Sequence, residues 1–199
     1  MAEDTRQDWK EAAARLIEAF ASTEPTPGGG AAAGTCGAIG CALAEMAAGI
    51  SLSSGKSDER RRRALAEARE EFRELQAEFR RLTEGDAAAF ERVMEGYRLP
   101  KDDPGRAERL QTSLVGAARV PLETARRAVE ALEKARRAKG ETVGTVSSDM
   151  GCALHLLRAA GLCALENVEV NAALLKDREA ARVLREEAAR ARKGLEGLE

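Results

Sequence analysis

Apolar positions return every three or four residues along nearly the whole chain, the period of a helix with one buried face. Between Asp4 and Phe20, the residues Trp9, Ala13, Leu16, Ile17 and Phe20 share such a face behind an acidic start. Gly29 to Leu52 reads as a second helix of a different kind. Ala31, Ala32, Ala33, Gly34, Gly37, Ala38, Gly40, Ala42, Ala44, Ala47 and Ala48 leave it thin on every side. Ser53-Ser54-Gly55-Lys56-Ser57 breaks the pattern. From Arg60 to Leu82 two heptad series interleave, Leu65/Phe72/Phe79 and Ala68/Leu75/Leu82, with Glu and Arg outside them. Three heptads predict a long helix in an antiparallel bundle rather than an extended coiled coil.

Asp86 then reads as the N-cap of a short helix carrying Phe90, Val93 and Met94, and Leu99 to Pro104 as a loop with two prolines. Helical period resumes from Arg106 to Lys139, with Pro121 as an expected kink. Gly140 to Val146 is turn-like, and Ser148 and Asp149 can cap a last long helix through Leu154, Leu157, Leu162, Leu165 and Val168. Residues 178–199 are rich in Ala, Arg and Glu and predict a peripheral helical tail. No segment alternates with a strand's period of two. The expectation is one all-α domain over residues 1–199, an up-and-down bundle of six to seven long, partly kinked helices.

Composition sharpens this picture. Aromatic residues make up 3% of the 199, with a single Trp and a single Tyr, so the core must rest on Leu, Val and Ala. Ala-rich helices bury little area each, which favours burial against a second subunit. Thirty-two basic against 34 acidic residues argue against a dedicated nucleic-acid binder. An acidic N-terminus argues against a signal peptide. The uncharged stretch Thr26 to Ala44 is too rich in Gly and Ala to read as a membrane span. The expected location is the cytoplasm, with no membrane partner. Cys36, Cys41, Cys152 and Cys163 form no Cys-x-x-Cys pair, and with His155 as the only histidine there is no zinc set. They read as small buried thiols.

The chemistry centres on Thr26-Pro27-Gly28-Gly29-Gly30. Three glycines cost backbone entropy, so a stable fold keeps them only where another group approaches closely. The helix start behind them offers free N–H groups, which suit an anionic or planar ligand. This Pro-Thr-Pro-Gly-Gly-Gly followed by an Ala/Gly helix resembles the signature of the cyclodeaminase/cyclohydrolase family. Gly55-Lys56, Asp86-Ala87-Ala88-Ala89-Phe90 with Tyr97-Arg98-Leu99-Pro100-Lys101, Ser147-Ser148-Asp149-Met150-Gly151 and Asn167-Val168-Glu169-Val170-Asn171 match the family in the same order, from about Asp8 to Lys176.

The resemblance implies a folate one-carbon enzyme that forms a homodimer and needs no cofactor beyond the tetrahydrofolate carrying its substrate. The implied catalytic residues are Asp149, Lys56 and Asp86. Pro27, Gly28, Gly29, Gly30, Ser148, Tyr97, Lys101, Asn167 and Asn171 are implied to bind substrate. A carboxylate could stabilise the cationic ring of 5,10-methenyltetrahydrofolate, take a proton from the attacking water and pass it to the departing nitrogen. Deamination of formimidoyltetrahydrofolate would use the same site with ammonia leaving, and a non-catalytic folate-binding or scaffold homologue is a third reading.

Each residue also has a plainer account. Ser148 and Asp149 could simply cap a helix, Lys56 could be a solvated lysine, and Tyr97 a half-buried aromatic. Asn167 and Asn171 emerge from one helix face and suit bonds across a subunit interface better than a pterin edge. His155 reads as structural. The stripes Gly30/Gly34/Ala38/Ala42 and Ala33/Gly37/Cys41 would admit a partner helix. Two positions depart from the family pattern: Val143-Gly144-Thr145 stands in place of Asn-x-Asn, and Ala31 in place of Ser.

Overall fold

The computed structural model describes residues 2–55 and 58–197, with side chains from residue 8 onward. Six helices follow one another: α1 (Ala2–Ala21), α2 (Gly29–Ser53), α3 (Glu59–Arg98), α4 (Arg106–Lys139), α5 (Ser147–Ala173) and α6 (Arg178–Glu196), with a 3-10 turn at Gly144–Val146. No strand occurs among the described residues. Helices α2 to α5 alternate in direction and close into a ring, α2 and α4 each lying between α3 and α5. The short connections dictate that antiparallel order.

The heptad face of α3 supplies the bulk of the core. Leu65, Phe72 and Phe79 are fully enclosed, with Ala68 and Leu75 buried between them. They dock on the thin helix α2. A Cβ built on Gly37 would lie 2.5 Å from the Phe79 ring, one on Gly34 2.4 Å from Thr83 Oγ1, and one on Gly40 2.9 Å from Leu157. The glycines of α2 therefore admit side chains of the same chain. Of the two stripes expected to face a partner helix, Ala33/Gly37/Cys41 is turned inward together with Gly30 and Gly34 of the other, because Phe79 and Thr83 need that space, whereas Ala38 and Ala42 are half-buried. Among the described residues α2 is also the one helix long and apolar enough to cross a membrane.

Three further expectations need correction. No break precedes Asp86: α3 is one helix of 40 residues, capped at Asp58, whose side chain accepts the Arg61 N–H. Gly85 costs a helix about 1 kcal/mol, and packing of Ala89 and Val93 on Leu114 and Ala117 offsets it. At α5 the cap position is Val146, without a side-chain bond, because the 3-10 turn leads straight into the helix. Ser148 and Asp149 thus sit inside its first turn. The cysteines divide: Cys41 is buried and Cys36 half-buried, whereas Cys152 and Cys163 are exposed. Burial pushes the Cys41 thiol up to about 12, with the Glu130 charge adding to it.

Helix α4 runs through Pro121, which is itself buried. Helix α6 covers α4 and α5 with Ala181, Leu184, Ala191 and Leu195, and Leu195 fills the space above Gly161. Helix α1 lies off the bundle and leaves Trp9 and Ile17 61% and 67% exposed. The single tyrosine, Tyr97, is also exposed.

Candidate active site

The glycine loop ends at the start of α2, where Gly28 is the cap residue and its carbonyl accepts the Ala32 N–H at 2.9 Å. The preceding Thr26–Pro27 peptide bond is cis, and Pro27 is half-buried. Two side chains from distant helices occupy the volume the glycines leave free. A Cβ on Gly30 would lie 2.0 Å from Asp86 Oδ1, and one on Gly29 would lie 3.1 Å from Asn167 Nδ2. Gly28 has no contact closer than the Pro25 carbonyl at 3.5 Å.

Asp86, about two-thirds of the way along α3, reaches across to α2 and accepts the Ala31 N–H. Burial pushes its carboxyl above the ordinary carboxylate range, and the Ala31 N–H partly counters that rise. The first-turn N–H groups of Gly29 and Gly30 have no helical acceptor. A carboxylate of raised proton affinity thus stands beside two backbone donors and a side-chain amide. That set can take up or deliver a proton next to a polar, planar ligand.

Asn167 Nδ2 donates to the Cys163 carbonyl at 3.0 Å, one turn back on α5. Asn171 is committed elsewhere. Pro121 has no N–H, so the Ala117 carbonyl of α4 loses its helical donor, and Asn171 Nδ2 supplies one at 3.3 Å while also donating to the Asn167 carbonyl at 2.9 Å. The Nδ2 group of Asn171 is thus used within one chain, because the proline orphans an acceptor there.

Two other implied residues, Ser148 and Asp149, stand at the far end of the bundle. The Ser51 hydroxyl, fully buried near the end of α2, donates to the Ala47 carbonyl and accepts the Val143 N–H at 3.0 Å. Gly55 beyond it has φ +67°, the left-handed region that glycine permits. Lys56 lies outside the described residues. Asp149 is half-buried and Ser148 exposed. Helix α5 runs antiparallel to α2, so Asp149 sits level with Met46, about 24 Å along the axis from Gly30 at 1.5 Å per residue. An open groove of about 680 Å³ marks this end, lined by Met46, Ile50, Ser53, Arg69, Val143 and Thr145 among others.

Tyr97 and Lys101 join neither group. Tyr97 is about 16 Å beyond Asp86 along α3, and Lys101 is exposed in the turn that follows. His155 is exposed, lining a separate groove with Arg136 and Lys139, which leaves it no buried structural role. Sequence reasoning did not single out Thr83, Ser51 or Arg69. The signal for Thr83 was available, since α2 carries a glycine at Gly34 that needs a close neighbour. The structure therefore brings Asp86 and Asn167 to the glycine loop and leaves Ser148 and Asp149 toward the other end of α2.

Comparison with known proteins accords with this architecture. The profile of the formiminotransferase-cyclodeaminase family matches residues 12–190. A methenyltetrahydrofolate cyclohydrolase of Methylorubrum extorquens is 34% identical over 167 residues, which cover 82% of this chain and 80% of the relative. The crystal structure of a formiminotetrahydrofolate cyclodeaminase from Thermotoga maritima superposes with a TM-score of 0.83 at 27% identity, covering 92% of this chain and 89% of that one.

Proposed function

The chain belongs to the formiminotransferase-cyclodeaminase family, and on that premise we propose that it hydrolyses 5,10-methenyltetrahydrofolate to 10-formyltetrahydrofolate in the cytoplasm. The observation that carries the reading is the Asp86 carboxylate, seated on Gly30 at the start of α2 with its proton affinity raised by burial. Water adds to the one-carbon centre of the cationic ring. Asp86 takes one of its protons, and the resulting carbinol carries a new C–O bond. Breaking the bond to the ring nitrogen leaves the formyl group on its neighbour. Asp86 returns the proton to the departing nitrogen, and the remaining hydroxyl proton goes to solvent. The anionic carboxylate also stabilises the substrate's positive charge before attack.

In this reading the Gly29 and Gly30 N–H groups and the Asn167 amide orient the pterin edge. Asp149 and Ser148 lie toward the other end of α2, and the reaction draws on no cofactor beyond the tetrahydrofolate itself. Formimidoyltetrahydrofolate deamination remains the second reading, favoured by the fold of the Thermotoga maritima protein. Loss of methenyltetrahydrofolate absorbance, corrected for spontaneous hydrolysis, tests the proposal. Acceleration by the wild type and its loss in Asp86→Asn would support it. Ammonia release from formimidoyltetrahydrofolate without cyclohydrolase activity would replace it with the second reading.

A further inference from the structure

We propose that the crevice between α4 and α5, beyond the end of α6, is a docking groove for an acidic amphipathic helix of another protein. It lies on the face of α5 opposite Asp149, since two residues turn a helix by about 200°. The groove is therefore independent of which folate reaction the chain performs.

Helix α6 shows what this crevice accepts. It runs back along α4 and α5, with Leu184 packed among Leu122 and Val168, and Ala191 and Leu195 buried in the main core. Gly161 of α5 leaves the room that Leu195 takes, for a Cβ there would lie 2.6 Å from the leucine. Complementary charges flank this apolar seam. Arg185 and Arg192 of α6 reach Glu169 and Glu166 of α5 at 2.7 and 3.5 Å, and Arg126 of α4 reaches Glu187 of α6 at 2.8 Å. Helix α6 ends at Glu196, with Gly194 over Val129 of α4.

The crevice continues past that end. One turn further along both walls it opens into a groove of about 720 Å³. The floor is apolar, formed by Leu132 and the half-buried Leu154, and the rim is basic, with Arg136 and Lys139 from α4 and His155 and Arg158 from α5. Among the described residues no carboxylate lines it, and neither Arg136 nor Lys139 has an ion-pair partner. The nearest acid along the chain, Glu141, is drawn to α3 by Arg60 at 2.9 Å.

The rim contributed by α5 thus changes from acidic under α6 to basic beyond it. An occupant continuing the line of α6 must carry acids where α6 carries arginines. Gly151 supplies a second seat, about 15 Å along α5 from Gly161. A Cβ built on it meets nothing within 4 Å, so a leucine of the partner can settle there as Leu195 settles on Gly161. From Arg158 to Ser147 the groove runs about 16 Å, or three helical turns. A contact of that length buries less than the roughly 800 Å² per partner of a standard interface, so the complex is weak and transient. Its rim charges make it salt-sensitive.

The test uses a fluorescein-labelled, helix-stapled peptide of about 16 residues, with Leu and Ala on one face and Glu on both flanks. Fluorescence anisotropy follows its titration with the full chain. Saturable binding should weaken at least about tenfold in Arg136→Glu/Lys139→Glu, whose side chains are exposed and leave the core untouched. Gly151→Phe, which fills the seat without altering charge, should weaken it as much, with circular dichroism confirming its fold. The pair Arg92→Glu/Arg109→Glu changes net charge equally at a groove by the other end of α4 and should bind as the wild type does. Absence of saturation, equal binding of a peptide with Gln for every Glu, or equal loss in the remote pair overturns the proposal. Binding that survives both groove variants also overturns it. Inorganic tripolyphosphate bound at the groove without peptide binding would replace the helix with a small anion. A sedimentation mass that falls in Gly151→Phe would seat a second copy of this chain there instead.

Discussion

At the residue scale Asp86 answers two opposing demands. Its carboxylate satisfies the Ala31 N–H, yet burial opposes its ionisation. A carboxyl raised in the folded state binds protons more tightly there than in the unfolded chain. Stability from this group is therefore greatest at low pH and declines as pH rises through its folded value. Asp86→Asn keeps an acceptor for Ala31 and removes the buried charge, so its Tm at pH 7 should equal or exceed that of the wild type. Its kcat should nevertheless fall by about 100-fold or more, the usual share of a general base. The acid limb of wild-type kcat/KM should lie above the range of an exposed carboxyl and vanish in this variant. Gly30→Ala should lower both Tm and activity, since its Cβ would need to sit 2.0 Å from Asp86 Oδ1. The glycines announced in the sequence that something comes close. They could not say what, because Asp86 and Asn167 are brought there by helices that begin far along the chain.

At the element scale the helices were legible from period alone, and the break before Asp86 was misread. Gly85-Asp86 has the local character of a stop, but the apolar stripe continues through Ala89 and Val93, and that packing overrides the local signal. Asn171 shows the reverse case. Pro121 inside a helical pattern already required a donor for the Ala117 carbonyl, and only the fold identifies Asn171 as that donor. Asn171→Ala should cost about 1–2 kcal/mol by leaving a buried acceptor bare. In a Pro121→Ala background the restored N–H should take its place, so a double-mutant cycle in chemical denaturation should show a coupling of at least about 0.5 kcal/mol. Helix α2 has less tolerance. Gly37→Leu drives four carbons into the Phe79 ring and should lower the unfolding midpoint by the equivalent of about 1–3 kcal/mol or more. An unchanged midpoint would contradict the packing of α3 on α2.

For the molecule as a whole, the balanced charge and small-residue core suit a helical ring whose stability depends on close approach more than on large side chains. The sequence carried that much, because alternation of direction follows from short connections. It did not reveal that α1 stands apart while α6, the more charged of the two, docks and buries Leu195, since periodicity predicts an apolar face without saying what covers it. The placement of Trp9 has a practical consequence for spectroscopy. The chain's only indole is on α1, well exposed, and its only phenol, Tyr97, is exposed as well. Intrinsic emission should therefore report the surroundings of α1 and remain nearly blind to melting of the ring, which far-ultraviolet circular dichroism will follow. The two curves should separate on titration with urea. Their divergence, ordinarily taken as the mark of a folding intermediate, would here reflect where the chromophore sits.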